Sequence, residues 1–198
     1  MSTALIVVDM QVDFCPGGLL AVTSGDLILP RINAMMADYD AVILTQDWHP
    51  SDHTSFADNH PGAAPYSTTQ MPYGKQVLWP RHCVIGSDGA AFHPDLVVDR
   101  ADMIIRKGFR PQIDSYSAFF ENDRTTRTGL EGYLRERGLD RLDFVGLAYD
   151  FCVAWSAIDA RKLGFEARVI RDATGAIDLD GSADAASDAM QQAGVSLT

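Results

Sequence analysis

Leu142-Asp143-Phe144-Val145-Gly146-Leu147-Ala148-Tyr149-Asp150-Phe151-Cys152-Val153-Ala154-Trp155 is the stretch on which the fold turns. Its first half, Leu142 to Leu147, is an apolar run too short for a helix and reads as a buried strand. Its second half opens an amphipathic helix that runs to about Leu163. Asp150 is the expected N-cap and Gly164 closes the C-terminus. Cys152 therefore falls in the first turn of a helix, directly after a strand. Unpaired N–H groups and the helix dipole there favour a thiolate and can hold an oxyanion. A lone cysteine is otherwise a small buried hydrophobe, so the remaining strand ends have to be read with it.

The same strand-then-helix pattern extends in both directions. Ala4 to Val8 is a buried strand, followed by a Gly/Pro-rich loop through Pro16, Gly17 and Gly18. A helix covers about Pro30 to Tyr39, and a second strand covers Ala41 to Gln46. A third strand spans Asp102 to Arg106, and a helix from about Gly129 to Arg137 is stopped by Gly138. Beyond Gly164 come a fifth strand, Phe165 to Ile170, a helix from a Ser182 cap to about Gln192, and a short last strand, Val195 to Leu197. Alternation of this kind implies right-handed parallel crossovers. The expected fold is α/β: one domain over residues 1–198, three αβα layers, with a mostly parallel, Rossmann-like sheet. In such sheets the site lies at the carboxyl ends of the strands, where the strand order reverses. Asp9, Asp47, Lys107 and the turn from Ala148 to Cys152 all occupy such ends.

A carboxylate, an ammonium and a thiol at equivalent positions make a nucleophile with its own base and its own positive charge. Asp9 would take the thiol proton and later return it to a leaving group, with Lys107 supporting both charges. Cys15 and Cys83 precede no clear helix and are assigned to packing.

From Asp47 to about Leu96 no long periodic segment appears, and a loop beyond roughly 15 residues is often functional. All five histidines, 49, 53, 60, 82 and 93, lie in it. Asp47 and His49 point to the same side of an extended segment and can share one ion. His53 or His82 could supply a third ligand, a donor set suited to Zn²⁺, Fe²⁺ or Mn²⁺. His60 and His93 each precede a proline and are read as structural. Phe14, Trp79 and Tyr116 lie in the irregular segments around the crevice and could form a slot for a planar ring.

Composition bounds the partners. The chain has 198 residues, 46% hydrophobic and 22% charged, with a net charge of −11. That charge argues against nucleic acid and against an anionic membrane surface. No segment resembles a signal or a membrane span, and three cysteines do not make a disulfide framework, so the cytoplasm is the expected compartment. A homo-oligomer stays open.

Four segments carry a resemblance that spans nearly the whole chain in order. They are Val8-Asp9-Met10-Gln11-Val12-Asp13-Phe14-Cys15-Pro16-Gly17-Gly18; Gln46-Asp47-Trp48-His49-Pro50 with His53 and Ser55-Phe56; Trp79-Pro80-Arg81-His82-Cys83; and Gly146 to Val153. Lys107-Gly108 and Asp114 to Phe120 add to it. The sequence resembles the nicotinamidase/pyrazinamidase group of the isochorismatase-like cysteine hydrolases. The resemblance implies a catalytic triad of Asp9, Lys107 and Cys152, and one divalent metal ion, zinc first, on Asp47, His49 and His82. His53 is implied as a weaker fourth ligand. It also implies an oxyanion hole from the backbone N–H groups of Ala148 and Cys152, a cis Leu147–Ala148 peptide, and a ring slot from Phe14, Trp79 and Tyr116. The implied reaction is hydrolysis of nicotinamide, and of pyrazinamide, to the acid and ammonia through a cysteine thioester, in NAD salvage. Tyr149 departs from the Thr more common in the family and bears on the pocket wall. The alternatives are a relative acting on an N-carbamoyl compound or ureidoacrylate, and a metal- or redox-sensing binding module.

Overall fold

The computed structural model describes residues 2–198. Its order is β1 (Ser2–Val8), α1 (Leu29–Met35), β2 (Ala41–Asp47), β3 (Thr68–Met71), β4 (Gly74–Val77), β5 (Met103–Lys107), α2 (Leu130–Glu136), β6 (Leu139–Leu147), α3 (Ala154–Lys162), β7 (Glu166–Gly175), α4 (Ser182–Gln192) and β8 (Ser196–Leu197). Six strands form one sheet in the order β5-β2-β1-β6-β7-β8. Every pairing in it is parallel.

The apolar runs explain the arrangement. In β1 and β2 the positions from Ala4 to Val8 and from Ala41 to Asp47 are all buried, as central strands covered on both faces require. The helices flank the sheet: α2 packs on β6, and α3 lies on β7. Leu130 and Leu134 of α2, and Leu29 and Ile32 of α1, face the core. Chain order runs outward from β1 through β2 to β5, then returns to β6 on the other side of β1. The reversal between β1 and β6 is the topological switch, so the crevice opens where Asp9 and Ala148 leave the sheet.

Several local expectations are corrected. The stretch after Asp47 contains a two-stranded antiparallel hairpin, β3–β4. Its strands are four residues each, mostly polar and only partly buried, so no hydrophobic alternation announces them. β7 continues to Gly175, past the expected end at Ile170. Asp150 does not cap α3: the chain passes from Ala148 into one π-helical turn, Tyr149–Val153, without a side-chain cap. Nor does Ser182 cap α4, which begins on Ser182 itself after Gly181 at φ 82°. The buried residues of α3 are Ala154, Ser156, Ala157, Asp159 and Ala160. The helix therefore approaches closely on a face of small side chains and lacks the expected amphipathic stripe. No helix among the described residues is long and apolar enough to cross a membrane.

Candidate active site

Four strand ends converge. Asp9 follows β1 in the left-handed region, at φ 46°, a conformation that Asp tolerates better than most residues. Asp47 ends β2, Lys107 ends β5 opposite it in register, and Cys152 sits in the π-helical turn after β6. All four side chains are buried. The ammonium of Lys107 lies 2.8 Å from Asp9 Oδ2 and donates to Asp47 Oδ1, to the Ser115 carbonyl at 3.0 Å and to Cys152 Sγ at 3.5 Å. The acidic and sulfur atoms of Asp9, Asp47 and Cys152 all fall within 4.8 Å of one another.

Electrostatics follow from one ammonium among two carboxylates. Burial disfavours the charge on Lys107, but Asp47 and Asp9 outweigh it and hold the pKa well above the usual lysine value. Asp47 is also opposed by burial, yet Lys107 and His49 keep it well below the carboxylate range. Asp9 is pushed up, first by burial and then by Asp47, against Lys107. The thiol of Cys152 is likewise pushed up, by burial first, with Asp9 and Asp47 adding to it against Lys107. This corrects the expected thiolate: desolvation beside two carboxylates outweighs the ammonium and the helix start, so the proton rests on sulfur next to a carboxylate able to take it. Cys15 and Cys83 are buried, and burial pushes Cys15 up to about 11 and Cys83 well above its ordinary value.

Asp47, His49 and His82 present one donor atom each within 4.8 Å of one another, all buried. Their tautomers can be derived. His49 Nδ1 lies 2.8 Å from the Gly108 carbonyl and His82 Nδ1 lies 2.7 Å from the Pro80 carbonyl. A carbonyl only accepts, so both Nδ1 atoms carry hydrogen; burial opposes charge on His49, but Asp47 raises its pKa, so its Nε2 gives up a proton when it ligates a cation. The two Nε2 atoms face Asp47 Oδ2 at 3.5 Å and 3.9 Å. Burial and the neighbouring His49 push His82 down to about 4, so it is neutral and ready to ligate at pH 7. Two imidazoles and a carboxylate thus fit a borderline divalent cation. Gly108, at φ +69°, must be glycine because a Cβ there would collide with the His49 ring.

His53 does not join this set. Its Nε2 lies 3.2 Å from the Ile113 carbonyl and so donates, while its Nδ1 faces Ser55 Oγ at 2.7 Å and accepts. With both nitrogens engaged, it packs its ring 4.4 Å from that of His49 and supports the ligand from behind. His60 bonds the Thr54 carbonyl at 2.7 Å, away from the cluster.

Above Cys152 lies a small cavity lined by Phe14, Trp79, Tyr116, Phe151, Ile177 and Ala148, with Asp47 and His82 at one side. All three expected aromatic residues are there. Phe151 was missed; its ring meets Trp79 edge-on at 4.8 Å. Ile177 was missed because it lies beyond β7. It is held by Asp150, whose carboxylate accepts the N–H of Ile177 at 3.0 Å, the N–H of Asp178 at 2.8 Å and the Ser182 hydroxyl. Tyr149 turns away from the cavity, and its hydroxyl meets Ser187 Oγ at 2.7 Å on α4. The peptide between Leu147 and Ala148 is cis.

Residues 3–198 match the isochorismatase domain family. The chain belongs to the isochorismatase domain family. Within it, the chain is 56% identical over 192 residues to a nicotinamidase of Acinetobacter baylyi, covering 97% of this chain and 90% of that protein. A solved nicotinamidase/pyrazinamidase of Acinetobacter baumanii superposes with a TM-score of 0.98 at 56% identity, over 99% of this chain and 95% of that one. A pyrazinamidase of Pyrococcus horikoshii, solved in complex with zinc, superposes with a TM-score of 0.80 at 36% identity, over 100% of this chain and 99% of that one.

Proposed function

We propose that this isochorismatase-family chain is a nicotinamidase that hydrolyses nicotinamide, and pyrazinamide with it, to the carboxylic acid and ammonia. The observation that carries this reading is the contact of one buried ammonium with both Asp9 and Cys152 at the floor of an aromatic cavity. The full-length likeness to nicotinamidases supports the choice of substrate.

In this reading the pyridine ring enters between Phe14 and Trp79, with Tyr116 and Phe151 closing the slot. Asp9 accepts the Cys152 proton as Sγ attacks the carboxamide carbon. The oxyanion is received by the backbone N–H groups of Ala148 and Cys152, donors that typically contribute about 3 kcal/mol each. Protonated Asp9 then gives its proton to the amide nitrogen, the C–N bond breaks and ammonia leaves a thioester on Cys152. Asp9 next deprotonates water, which attacks the thioester. The C–S bond breaks, and the proton returns from Asp9 to sulfur as nicotinic acid departs and ionises in solvent to nicotinate. Lys107 stays charged throughout and holds the two carboxylates and the sulfur together. Asp47, His49 and His82 would hold a divalent cation, zinc by the character of the donors. When bound it supplies a template for the ring nitrogen rather than the nucleophile. Among the described residues all three cysteines are free thiols, which fits a reducing cytoplasm and a role in NAD salvage.

The test is ammonia release from nicotinamide, pyrazinamide and N-carbamoylsarcosine by freshly purified, metal-replete protein and by Cys152→Ala. Release from the two aromatic amides that disappears in the variant is expected. No release from either aromatic amide by the parent removes the nicotinamidase reading, and full activity in Cys152→Ala removes the thioester route.

A further inference from the structure

We propose that Thr45 is a positioning residue for this reaction, locking Asp9 so that Oδ2, and not Oδ1, receives the thiol proton; this rests on the reading of Asp9 as the base. Thr45 lies on β2 and is 0% exposed, within a strand that is buried from end to end. An apolar β-branched residue would fill such a position, and a hydroxyl there requires partners.

Both partners of Thr45 belong to Asp9. Its Oγ1 donates to Asp9 Oδ1 at 2.6 Å and accepts the Asp9 N–H at 3.1 Å. One hydroxyl therefore holds the main chain and the carboxylate of the same residue, at the point where β1 leaves the sheet in a left-handed conformation. The other oxygen is free by count. Lys107 has three N–H hydrogens, directed to Asp47 Oδ1, the Ser115 carbonyl and Cys152 Sγ. Asp9 Oδ2 lies 2.8 Å from Nζ as an ion pair but forms no aligned hydrogen bond. It is thus a buried carboxylate oxygen with an uncommitted lone pair, held beside the sulfur. A partial turn of the Asp9 carboxylate about its Cβ–Cγ bond would swing the second oxygen away from the sulfur, and the short bond from Thr45 opposes that turn.

The experiment compares Thr45→Val, which keeps the shape and removes the hydroxyl, with Thr45→Ser, which keeps the hydroxyl. For nicotinamide hydrolysis the expected result is a fall in kcat of roughly 30-fold in Thr45→Val, a part of the total that a positioned base contributes. KM and the Kd for nicotinate should stay within about threefold, because no substrate contact is removed. Thr45→Ser should recover kcat to within about fivefold of the parent. The proposal is overturned by a Thr45→Val enzyme with kcat within about threefold of the parent, by Thr45→Ser as slow as Thr45→Val, or by a loss carried by KM and nicotinate affinity. If Thr45→Val does not fold, Thr45→Ala takes its place against Thr45→Ser with the same criteria. A parent that turns over no nicotinamide is a failure of the substrate reading and is distinguishable from all of these.

Discussion

Replacing Gln11 should loosen the end of β2 that carries Asp47, from a residue outside the proposed Asp47, His49 and His82 metal set. The ladder between β1 and β2 ends at Val7 and Leu44, three residues before Asp47. On its other side β2 is still paired, and Trp48 N–H donates to the Lys107 carbonyl at 2.9 Å. The main-chain groups of Asp47 face the side that β1 has already left, and the buried amide of Gln11 takes its place. Oε1 accepts the Asp47 N–H at 2.7 Å, and Nε2 donates to the Asp47 carbonyl at 2.8 Å and to the Ala90 carbonyl at 2.9 Å. Gln11→Met removes the amide at nearly constant volume. The Ala90 carbonyl keeps Gln46 Nε2 at 2.9 Å, so two buried groups lose their partners, both on Asp47. At about 2 kcal/mol for each orphaned group the cost is about 4 kcal/mol. For a domain of this size 1 kcal/mol shifts Tm by about 3 °C, so the melting temperature should fall by about 12 °C. Metal affinity should drop by about 10- to 100-fold, the usual consequence of losing an outer partner of a ligand. Gln11→Glu should do no better, since it sets a carboxylate oxygen against two carbonyls. The assays are a thermal melt followed by circular dichroism and a competition titration against a chromophoric chelator. A Gln11→Met protein melting within about 2 °C of the parent, with metal affinity within about twofold, would refute the reasoning.

Tyr149→Phe should leave kcat/KM for nicotinamide within about twofold, because the ring faces α4, and should cost about 1 kcal/mol of stability through the lost Ser187 bond; a change above about tenfold in KM would place the ring in the pocket after all. Asp123 supplies a pH signature. Burial opposes its charge, but hydrogen bonds from the backbone and hydroxyls of Thr126 and Thr125 hold its pKa down to about 2. A carboxyl depressed in the folded state stabilises fully above its unfolded value of 3.8 and loses that contribution as pH falls towards 2. In urea titrations Asp123→Ala should therefore be less stable than the parent at pH 7, with the gap narrowing as the pH is lowered through 4 to 3; a constant gap would contradict the assignment.

What could be read from the chain alone depended on whether a residue's role is local. Asp9 was legible because it follows a run of buried β-residues, Lys107 because it ends a β-branched strand, and Cys152 because it lies in the turn from a buried strand into a helix. Asp47 and His49 were legible because their i, i+2 spacing puts them on one side of an extended segment. Thr45 and Gln11 were not. Thr45 looks like one more β-branched strand residue and Gln11 like a loop amide, and their partners are 36 residues away. Cys152 was placed correctly, but its protonation was not. The expected thiolate followed from the helix start and a lysine, whereas the balance of desolvation against two carboxylates is a property of the assembled site. Asp150 was misread as a helix cap because Asp before a helix is the ordinary signal; its actual donors, the N–H groups of Ile177 and Asp178, come from beyond β7. His53 shows the limit of ligand counting, since tautomer and partner decide availability and neither is visible in spacing.

The carboxylate of Asp150 gives the enzyme two regions that can drift at different speeds. It sits two residues before Cys152, yet it ties down Ile177 and the first residue of α4. Asp9 and Asp47 stand at the ends of central strands and Lys107 at the end of the neighbouring edge strand, tied together by its ammonium. The wall at Ile177 hangs on a tether to an outlying helix. Changes in α4 can therefore reach the far side of the cavity, and the turn that carries Cys152, without touching Asp9 or Lys107. Over evolutionary time, the range of accepted rings can widen or narrow through a helix that never meets the substrate, while Asp9 and Lys107 stay where they are.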